Sequence, residues 1–252
     1  MIAAGDTYVA LGSSFAAGPG IRPIEHRRAG RSARNYAHQV ADALSLHLVD
    51  VTCSGATTAN VLTERQRRLP PQIDGVTADA KLVTITVGGN DIGYIGGLVR
   101  GSVVNAVLDR LRFLPDRWRG SVRYEAPTDQ CDTLVESLVT LVRAVRSRAP
   151  GARILLVDYL TVLGPDAHRC RELPLGDDAV RQVRTTADRL AAAFRTAAQR
   201  SGAHLVPASA ASVDHGVGSA DPWVSGFHGK PPYHPTLAGM TAVADLILRS
   251  VR

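Results

Sequence analysis

Three apolar runs in this sequence each end at a residue that can take part in acyl transfer. The run at residues 7–12 leads to Ser14, a second run leads to Gly55, and the run at residues 82–87 leads to Asn90. A serine in a tight turn after a buried strand can be held as an exposed nucleophile. A glycine lets a backbone N–H approach a substrate closely, and an asparagine amide donates hydrogen bonds without titrating. These are the residue types that acyl transfer requires, namely a nucleophile and donors aimed at an oxyanion.

A serine nucleophile also needs a base, and the sequence offers eight histidines. We prefer His234 because it alone begins a His-Pro-Thr sequence at the start of a predicted helix, whereas the nearest rivals, His228 and His215, do not. Ser13 is the alternative nucleophile, since it lies in the same turn as Ser14.

The four motifs together resemble those of the SGNH/GDSL-type serine hydrolases, a family of esterases and lipases named for a Ser, a Gly, an Asn and a His in separate blocks. The matching positions here are Ser14, Gly55, Asn90 and His234, which fall in the family's order across most of the chain. The resemblance implies cleavage of carboxylic esters through an acyl-enzyme on Ser14, with His234 as general base. It also implies an oxyanion hole formed by the backbone N–H groups of Ser14 and Gly55 and by the side chain of Asn90.

Two positions depart from the family's usual pattern. The first block usually reads Gly-Asp-Ser, whereas this chain has Ser13 in place of the aspartate. The acid that orients the catalytic histidine usually lies three residues before it, whereas this chain has Pro231 there. A histidine base still needs a partner at its second ring nitrogen. We expect the backbone carbonyl of Pro231 to be that partner, as in family members that work with a Ser-His dyad, with Asp221 or Asp214 as the alternatives.

Other functions fit the same motifs. A thioesterase or a carbohydrate deacetylase would use the same nucleophile and oxyanion hole. A hypothesis from a different class is a catalytically degenerate binding protein on this scaffold, which the departures at Ser13 and Pro231 suggest. A serine-directed phosphonate separates these classes, because it labels an active site and leaves a degenerate one unlabelled.

The alternation of strands and helices predicts a doubly wound parallel sheet with helices on both faces. We expect a three-layer α/β/α sandwich of flavodoxin-like topology with about five strands, the SGNH hydrolase fold, in one domain over residues 1–252. The predicted strands cover residues 7–12, 46–52, 82–87, 153–158 and 203–207, and the predicted helices cover residues 35–45, 57–62, 132–148 and 177–201, with a last helix that begins at Pro235. In such sheets ligands bind at the carboxyl ends of the strands, so the motifs after three of these strands should meet there.

Two segments are predicted to lie outside the regular elements. The stretch from Gly18 to Arg34 is rich in glycine, proline and arginine, which indicates an exposed loop. Residues 92–128 have no clear periodicity, and by resemblance to the family we expect an insertion there that forms one wall of the substrate cleft.

The composition is that of an ordinary globular protein, with 45% hydrophobic residues and a formal net charge of +6. No helix-turn-helix, zinc-finger or aromatic RNA-binding motif accompanies the positive charge, and only two of the 29 basic side chains are lysines. We therefore interpret the charge as a solvated basic surface and expect no nucleic-acid partner. The expected partner is a small-molecule or lipid ester, and a monomer is favoured.

Motifs for metal ions and for phosphate-binding loops are missing from the sequence, so we expect no metal and no other cofactor. No apolar run approaches the ~18 residues of a membrane span, and no secretory signal is recognisable at the amino end. As it stands the sequence predicts a cytoplasmic protein, or a secreted one if a signal has been removed. Three cysteines leave at least one thiol unpaired, and whether Cys131 and Cys170 form a disulfide stays open.

Overall fold

The chain folds into a five-stranded parallel sheet with helices packed against it. The computed structural model of the protein describes residues 2–110 and 127–251. In chain order the elements are β1 (Thr7–Gly12), α1 (Ser14–Ala17), β2 (Ile24–His26), β3 (Arg31–Ser32), α2 (Tyr36–Leu44), β4 (His47–Asp50), α3 (Thr58–Leu62), β5 (Ala80–Thr86), α4 (Tyr94–Arg110), α5 (Thr128–Arg148), β6 (Arg153–Val157), α6 (Asp177–Ser201), β7 (His204–Val206), α7 (Ala208–Ala211) and α8 (Leu237–Val251). Short 3-10 helices cover Gln72–Gly75 and Val213–His215.

The central sheet has the strand order β4-β1-β5-β6-β7, and each of its neighbouring pairs is parallel. Counted along the chain this is the order 2-1-3-4-5 of flavodoxin-like folds, in which the direction of winding reverses between the first and third strands. The predicted α/β fold is therefore confirmed, including the number of strands. The reversal puts a crevice beyond the carboxyl ends of β1 and β5.

The two central strands are buried because helices cover both faces of the sheet. In β5 every residue except Lys81 is buried, and in β1 every residue after Thr7 is buried. Helix α2 packs on α8, and α5 packs on α6. Helix α6 is exposed on one side, so its apolar residues form a stripe on the other side. Strand β5 is enclosed on both faces, so it is apolar along almost its whole length.

The stretch after Gly18 was wrongly predicted as a loop throughout, because it contains the antiparallel hairpin of β2 and β3. Its strands are three and two residues long, and Ile24 and Glu25 are exposed. Such short, solvated strands show no alternation of apolar and polar residues, so the glycine and arginine content dominated the prediction.

The last helix begins at Leu237, and the prediction that it begins at Pro235 was wrong. Pro235 instead forms an isolated antiparallel bridge with Val224. The Thr236 hydroxyl accepts a hydrogen bond of 3.2 Å from the Gly239 N–H, so Thr236 caps the helix. In the predicted insertion at 92–128, residues 94–110 form α4, and residues 111–126 lie outside the described residues.

Candidate active site

Ser14 is the first residue of α1, immediately beyond the end of β1. The extended Ser13 before it has a φ of −97° and a ψ of −155°, and the Ser13 N–H donates to the Thr86 carbonyl at 2.8 Å. Ser14 is 6% exposed. Within residues 2–110 and 127–251, neither its hydroxyl nor its backbone N–H makes a hydrogen bond. Both groups are therefore available to a substrate.

Gly12, at the end of β1, is held by the side chain of Gln72. The Gly12 N–H donates to Gln72 Oε1 at 2.7 Å, and Gln72 Nε2 donates to the Gly12 carbonyl at 3.0 Å. The same carbonyl accepts from the Cys53 N–H at 3.0 Å. Gln72 is buried, so this double contact is shielded from water. It fixes the turn of Ser14 against the loop that carries Gly55.

Gly55 lies in an exposed loop after β4 with a φ of +84°, a conformation that favours glycine. The Ser54 N–H donates to the Ala29 carbonyl at 2.8 Å, which ties the loop to the β2–β3 hairpin. In the part of the chain that the structure describes, the Gly55 N–H donates to no acceptor. It is thus a second free backbone donor at this edge of the sheet.

Asn90 follows β5, and its amide reaches the Gly55 loop. Asn90 Nδ2 donates to the Ala56 carbonyl at 2.8 Å, which fixes the orientation of the amide and leaves its second hydrogen for another acceptor. The next residue, Asp91, accepts from the Thr58 N–H at 3.0 Å and from Thr58 Oγ1 at 2.5 Å. These contacts bring Asn90 and Gly55 together as donors on one edge.

His234 lies in the loop before α8, with its ring 5.7 Å from the ring of Phe15, the neighbour of Ser14. His234 Nδ1 is 2.7 Å from the Pro232 carbonyl oxygen. A carbonyl can only accept, so Nδ1 carries the proton and Nε2 of the neutral ring has the free lone pair. Burial lowers the pKa of His234, and the hydrogen bond to Pro232 offsets this in part. The neutral ring is the form that a general base requires.

The expected partner of His234, the Pro231 carbonyl, is engaged elsewhere, and the neighbouring Pro232 carbonyl makes the contact instead. Asp221, one of the alternatives, lies beside His215. The Nδ1 atom of His215 is 2.8 Å from the backbone carbonyl oxygen of Asp221 and 3.4 Å from the Asp221 carboxylate. The other alternative, Asp214, belongs to the exposed 3-10 helix of His215. Within the described residues, neither carboxylate contacts His234.

Ser225 holds the loop of His234 through three hydrogen bonds. Its N–H donates to the His234 carbonyl at 2.8 Å, its hydroxyl donates to the Pro231 carbonyl at 3.0 Å, and its Oγ accepts from the His234 N–H at 3.3 Å. Tyr233 has a φ of +57°, and its buried hydroxyl lies 2.6 Å from Ser102 Oγ. Tertiary contacts thus impose the conformation that lets His234 reach the Pro232 carbonyl.

Comparison with known proteins identifies the family of the chain. The profile of the GDSL-like lipase/acylhydrolase family matches residues 10–242. The chain belongs to this family. It is 32% identical over 250 residues to "Lipase 2" of Streptomyces coelicolor, a match that covers 94% of this chain and 83% of the relative. "Lipase 1" of the same organism is 28% identical over 249 residues, covering 95% and 84%. The protein is therefore a carboxylic ester hydrolase, as its sequence predicted.

Three solved enzyme structures share its fold. Phospholipase A1 from Streptomyces albidoflavus NA297 superposes with a TM-score of 0.77 at 23% identity, over 98% of this chain and 99% of the other. An extracellular lipase from Streptomyces rimosus gives a TM-score of 0.73 at 23% identity, over 98% and 100%. An acetylxylan esterase from Geobacillus stearothermophilus gives 0.56 at 17% identity, over 99% and 95%.

The place of the usual GDSL aspartate is taken by Ser13, which bonds to Tyr159. The Ser13 and Tyr159 hydroxyls are 3.1 Å apart, and the Tyr159 oxygen also accepts from the Gly89 N–H at 2.9 Å. Burial raises the pKa of Tyr159 to about 12, so the phenol keeps its proton. Tyr159 directly follows the predicted strand 153–158, so the rule that selected Ser14 and Asn90 would also have found it. Gln72 and Ser225 carry no comparable signal in the sequence.

One cluster of potential metal ligands in the described residues lies beside Arg31. Ligand atoms of Glu25, His38 and Asp50 lie within 4.8 Å of one another. Arg31 already supplies the positive charge there, with Nε 2.7 Å from Glu25 and Nη1 3.6 Å from Asp50. We assign these residues to an ion-pair network rather than to a metal site.

The cysteines and the helices answer two further questions from the sequence. Cys53, Cys131 and Cys170 are all free thiols, so the structure contains no bridge between Cys131 and Cys170. None of the helices in the described ranges combines the length and the apolar character needed to cross a bilayer.

Proposed function

We propose that the protein hydrolyses lipid or small-molecule esters through a covalent acyl-enzyme on Ser14, with His234 as general base. One observation carries this proposal. The ring of His234 lies beside the turn of Ser14, and its Nδ1–H donates a hydrogen bond to the Pro232 carbonyl. Nε2 is then the nitrogen that can take the proton of the Ser14 hydroxyl, which makes no hydrogen bond within the described residues.

In the acylation step, Ser14 Oγ attacks the ester carbonyl carbon while its proton passes to His234 Nε2. The negative oxygen of the tetrahedral intermediate accepts from the Ser14 N–H, the Gly55 N–H and the Asn90 amide. The support for this hole is that the two backbone donors are unbonded within the described residues and the amide is fixed by Ala56. The C–O bond of the ester then breaks, and the imidazolium gives its proton to the departing alcohol oxygen.

Deacylation repeats these steps with water as the nucleophile. His234 takes a proton from water, the resulting hydroxide attacks the acyl carbon, and Ser14 leaves with the proton that the imidazolium returns. Among the described residues, the partner of the imidazolium at Nδ1 is the neutral Pro232 carbonyl, and no carboxylate contacts the ring. We therefore infer a preference for esters with good leaving groups.

Ser14 is favoured over Ser13 because the two hydroxyls have different surroundings. Ser13 is 1% exposed, and its hydroxyl is hydrogen-bonded to the hydroxyl of the buried Tyr159. A nucleophile in that position would have to break this contact, and the ring of Tyr159 is itself packed against Phe15, with ring centroids 4.7 Å apart.

Lipase is the activity that the relatives suggest most directly. Both S. coelicolor relatives are lipases, and the S. rimosus lipase, which shares the fold, is extracellular. We infer that this protein also acts on acylglycerol-type esters and favour the secreted alternative for its location.

The test is hydrolysis of p-nitrophenyl esters of graded chain length by the wild type and by the Ser14→Ala, Ser13→Ala and His234→Ala variants, together with labelling by a serine-directed phosphonate. We expect Ser14→Ala and His234→Ala to lose at least about 10⁴-fold in kcat, as serine hydrolases do without nucleophile or base. Ser13→Ala should keep measurable activity and the phosphonate label. A folded wild type that neither hydrolyses the esters nor takes the label would support the degenerate binding protein instead.

A further inference from the structure

A tight turn with an unusual composition lies beside the Gly55 loop. Gln66 and Leu69 are bridged by two backbone hydrogen bonds, of 2.7 and 3.2 Å, and the two residues between them are arginines. Arg67 has a φ of +51° and Arg68 a φ of +65°. Glycine or asparagine is the usual choice at such positions, because a longer side chain is strained there. Strain of this kind persists where surrounding contacts impose it, often at a functional site.

The contacts that hold this turn direct Arg67 towards the candidate oxyanion hole. Gln66 Nε2 donates to the Ser54 carbonyl at 3.2 Å, and Arg67 Nη1 donates to the Arg28 carbonyl at 3.1 Å. A Cβ atom built on Gly55 would lie 3.8 Å from Arg67 Nη2. The guanidinium of Arg67 therefore lies beside the backbone of Gly55.

Arg67 carries a positive charge that the described part of the chain leaves without a counter-charge. Among the residues that the structure describes, no carboxylate forms an ion pair with Arg67. Arg31, on the other side of the same loop, is paired with Glu25 and Asp50. Arg67 is exposed, and only its Nη1 is used by the contact with Arg28. Its remaining N–H groups can bind an anion that comes with the substrate.

We propose that Arg67 binds the phosphodiester of the substrate and so selects phospholipid esters over neutral esters with the same acyl chains. The inference rests on the proposed function, since it places the anion beside an ester that is bound at Ser14 and Gly55. A planar guanidinium offers two parallel N–H donors that match two phosphate oxygens, which a lysine cannot do. Arg67 thus acts as a specificity-determining residue and takes no proton in the reaction.

The experiment compares two soluble substrates, both below their micelle concentrations: dihexanoylphosphatidylglycerol and dihexanoylglycerol, which lacks the phosphodiester. The variants are Arg67→Asn and, as matched control, Arg68→Asn, which makes the same replacement in the same turn. Asparagine tolerates the left-handed backbone, so neither variant should unfold. The measured quantity is the ratio of kcat/KM for the phospholipid to kcat/KM for the neutral ester.

We expect the ratio to fall about tenfold in Arg67→Asn, to fall less in Arg67→Lys and to stay unchanged in Arg68→Asn. Added salt should lower the wild-type ratio towards that of Arg67→Asn, because the guanidinium is exposed. An unchanged ratio in Arg67→Asn overturns the proposal, whether both activities persist or both fall together. An equal fall in Arg68→Asn also overturns it, since general surface charge would then be the cause. If the wild type cleaves neither substrate, or if Ser14→Ala still cleaves them, the proposed function itself is wrong, and the proposal for Arg67 falls with it.

Discussion

The Tyr159 hydroxyl lies 3.1 Å from Oγ of Ser13, the residue that precedes the proposed nucleophile. Because the same oxygen accepts from the Gly89 N–H, one phenol joins the turn before Ser14 to the turn before Asn90. The contact requires glycine at position 89, because a Cβ atom there would lie 2.9 Å from the Tyr159 ring. The proposed nucleophile and one proposed oxyanion donor therefore follow turns that are joined by a common residue.

Tyr159→Phe should test this link, because it removes the hydroxyl and keeps the ring. The Gly89 N–H would lose its acceptor in a buried place, so we expect the free energy of unfolding to fall by about 1–3 kcal/mol. We expect kcat to fall on the order of tenfold with KM little changed, because small displacements of reacting groups are costly. Urea unfolding and p-nitrophenyl ester kinetics measure the two effects.

Two variants serve as controls for Tyr159→Phe. Tyr94→Phe removes the hydroxyl of a buried tyrosine whose ring packs against Tyr159 at 6.4 Å. Within the described residues that hydroxyl bonds to neither turn, so kcat should stay near the wild-type value. Ser13→Ala removes one of the two contacts and should have the smaller effect on stability. A kcat for Tyr159→Phe equal to that of Tyr94→Phe would show that the link does not position the site.

Asn90→Ala should lower kcat by about 10²–10³-fold, the usual result of removing one oxyanion donor. The effect should fall on kcat rather than KM, since the oxyanion exists only after the nucleophile has attacked. Steady-state kinetics on a short-chain p-nitrophenyl ester measure both constants.

Asn60→Ala is the control for the loss of an asparagine amide near the same loop. Asn60 accepts from the Thr57 N–H in the cap of α3, and its loss should affect stability more than kcat. If Asn90→Ala raised KM and left kcat unchanged, the amide would bind the ground state and would not belong to the oxyanion hole.

The pH profile should report on His234. The base works in its neutral form, so kcat/KM should be lost as the pH falls through the pKa of His234. Burial sets that pKa below the ordinary value of 6.5, and no carboxylate among the described residues contacts the ring to raise it. We therefore expect the inflection in kcat/KM below pH 6.5, with circular dichroism to check that the protein stays folded.

Asp221→Asn tests the alternative orientation of the base. Its carboxylate lies beside His215 and not beside His234, so the inflection should not move. An inflection above pH 6.5 that Asp221→Asn shifts downwards would mean that this carboxylate pairs with His234 in solution.

Much of this arrangement follows from a pattern that sequence alone reveals. Ser14, Gly55 and Asn90 come at the ends of apolar runs, and parallel strands bring their carboxyl ends to one edge. The alternation of strands and helices predicted the parallel sheet, and the four motifs predicted the family and its flavodoxin-like topology; both predictions are confirmed. The roles of the individual residues stay predictions that the variants above test.

The contact at His234 could not be predicted, because it depends on residues far apart in the sequence. Whether the Pro231 or the Pro232 carbonyl faces the ring is decided by the left-handed φ of Tyr233 and by the three hydrogen bonds of Ser225. Neither has a local sequence signal. The clamp of Gln72 on Gly12 is another contact of this kind, since it joins residues 60 positions apart.

The stability of the protein should depend on pH through Asp158, at the carboxyl end of β6. Asp158 is buried and accepts from the Ser209 N–H at 2.8 Å and from Ser209 Oγ at 2.6 Å. Burial raises its pKa to about 6, although these hydrogen bonds oppose the shift. The folded protein therefore keeps a proton between about pH 4 and 6 that the unfolded chain releases. This stabilisation is complete below about pH 4 and is lost as the pH rises through 6.

Asp158→Asn should remove this pH dependence, because an amide stays neutral and can still accept from the Ser209 N–H. The shift from 3.8 to about 6 corresponds to about 3 kcal/mol on full ionisation. Thermal unfolding between pH 4 and 8 should thus show the Tm of the variant rising by several degrees relative to the wild type, with most of the change between pH 5 and 7. Asp245→Asn, in an exposed position on α8, should show no such trend. A constant difference across the range would mean that Asp158 is already ionised at pH 5, and that its two bonds to Ser209 outweigh the cost of burial.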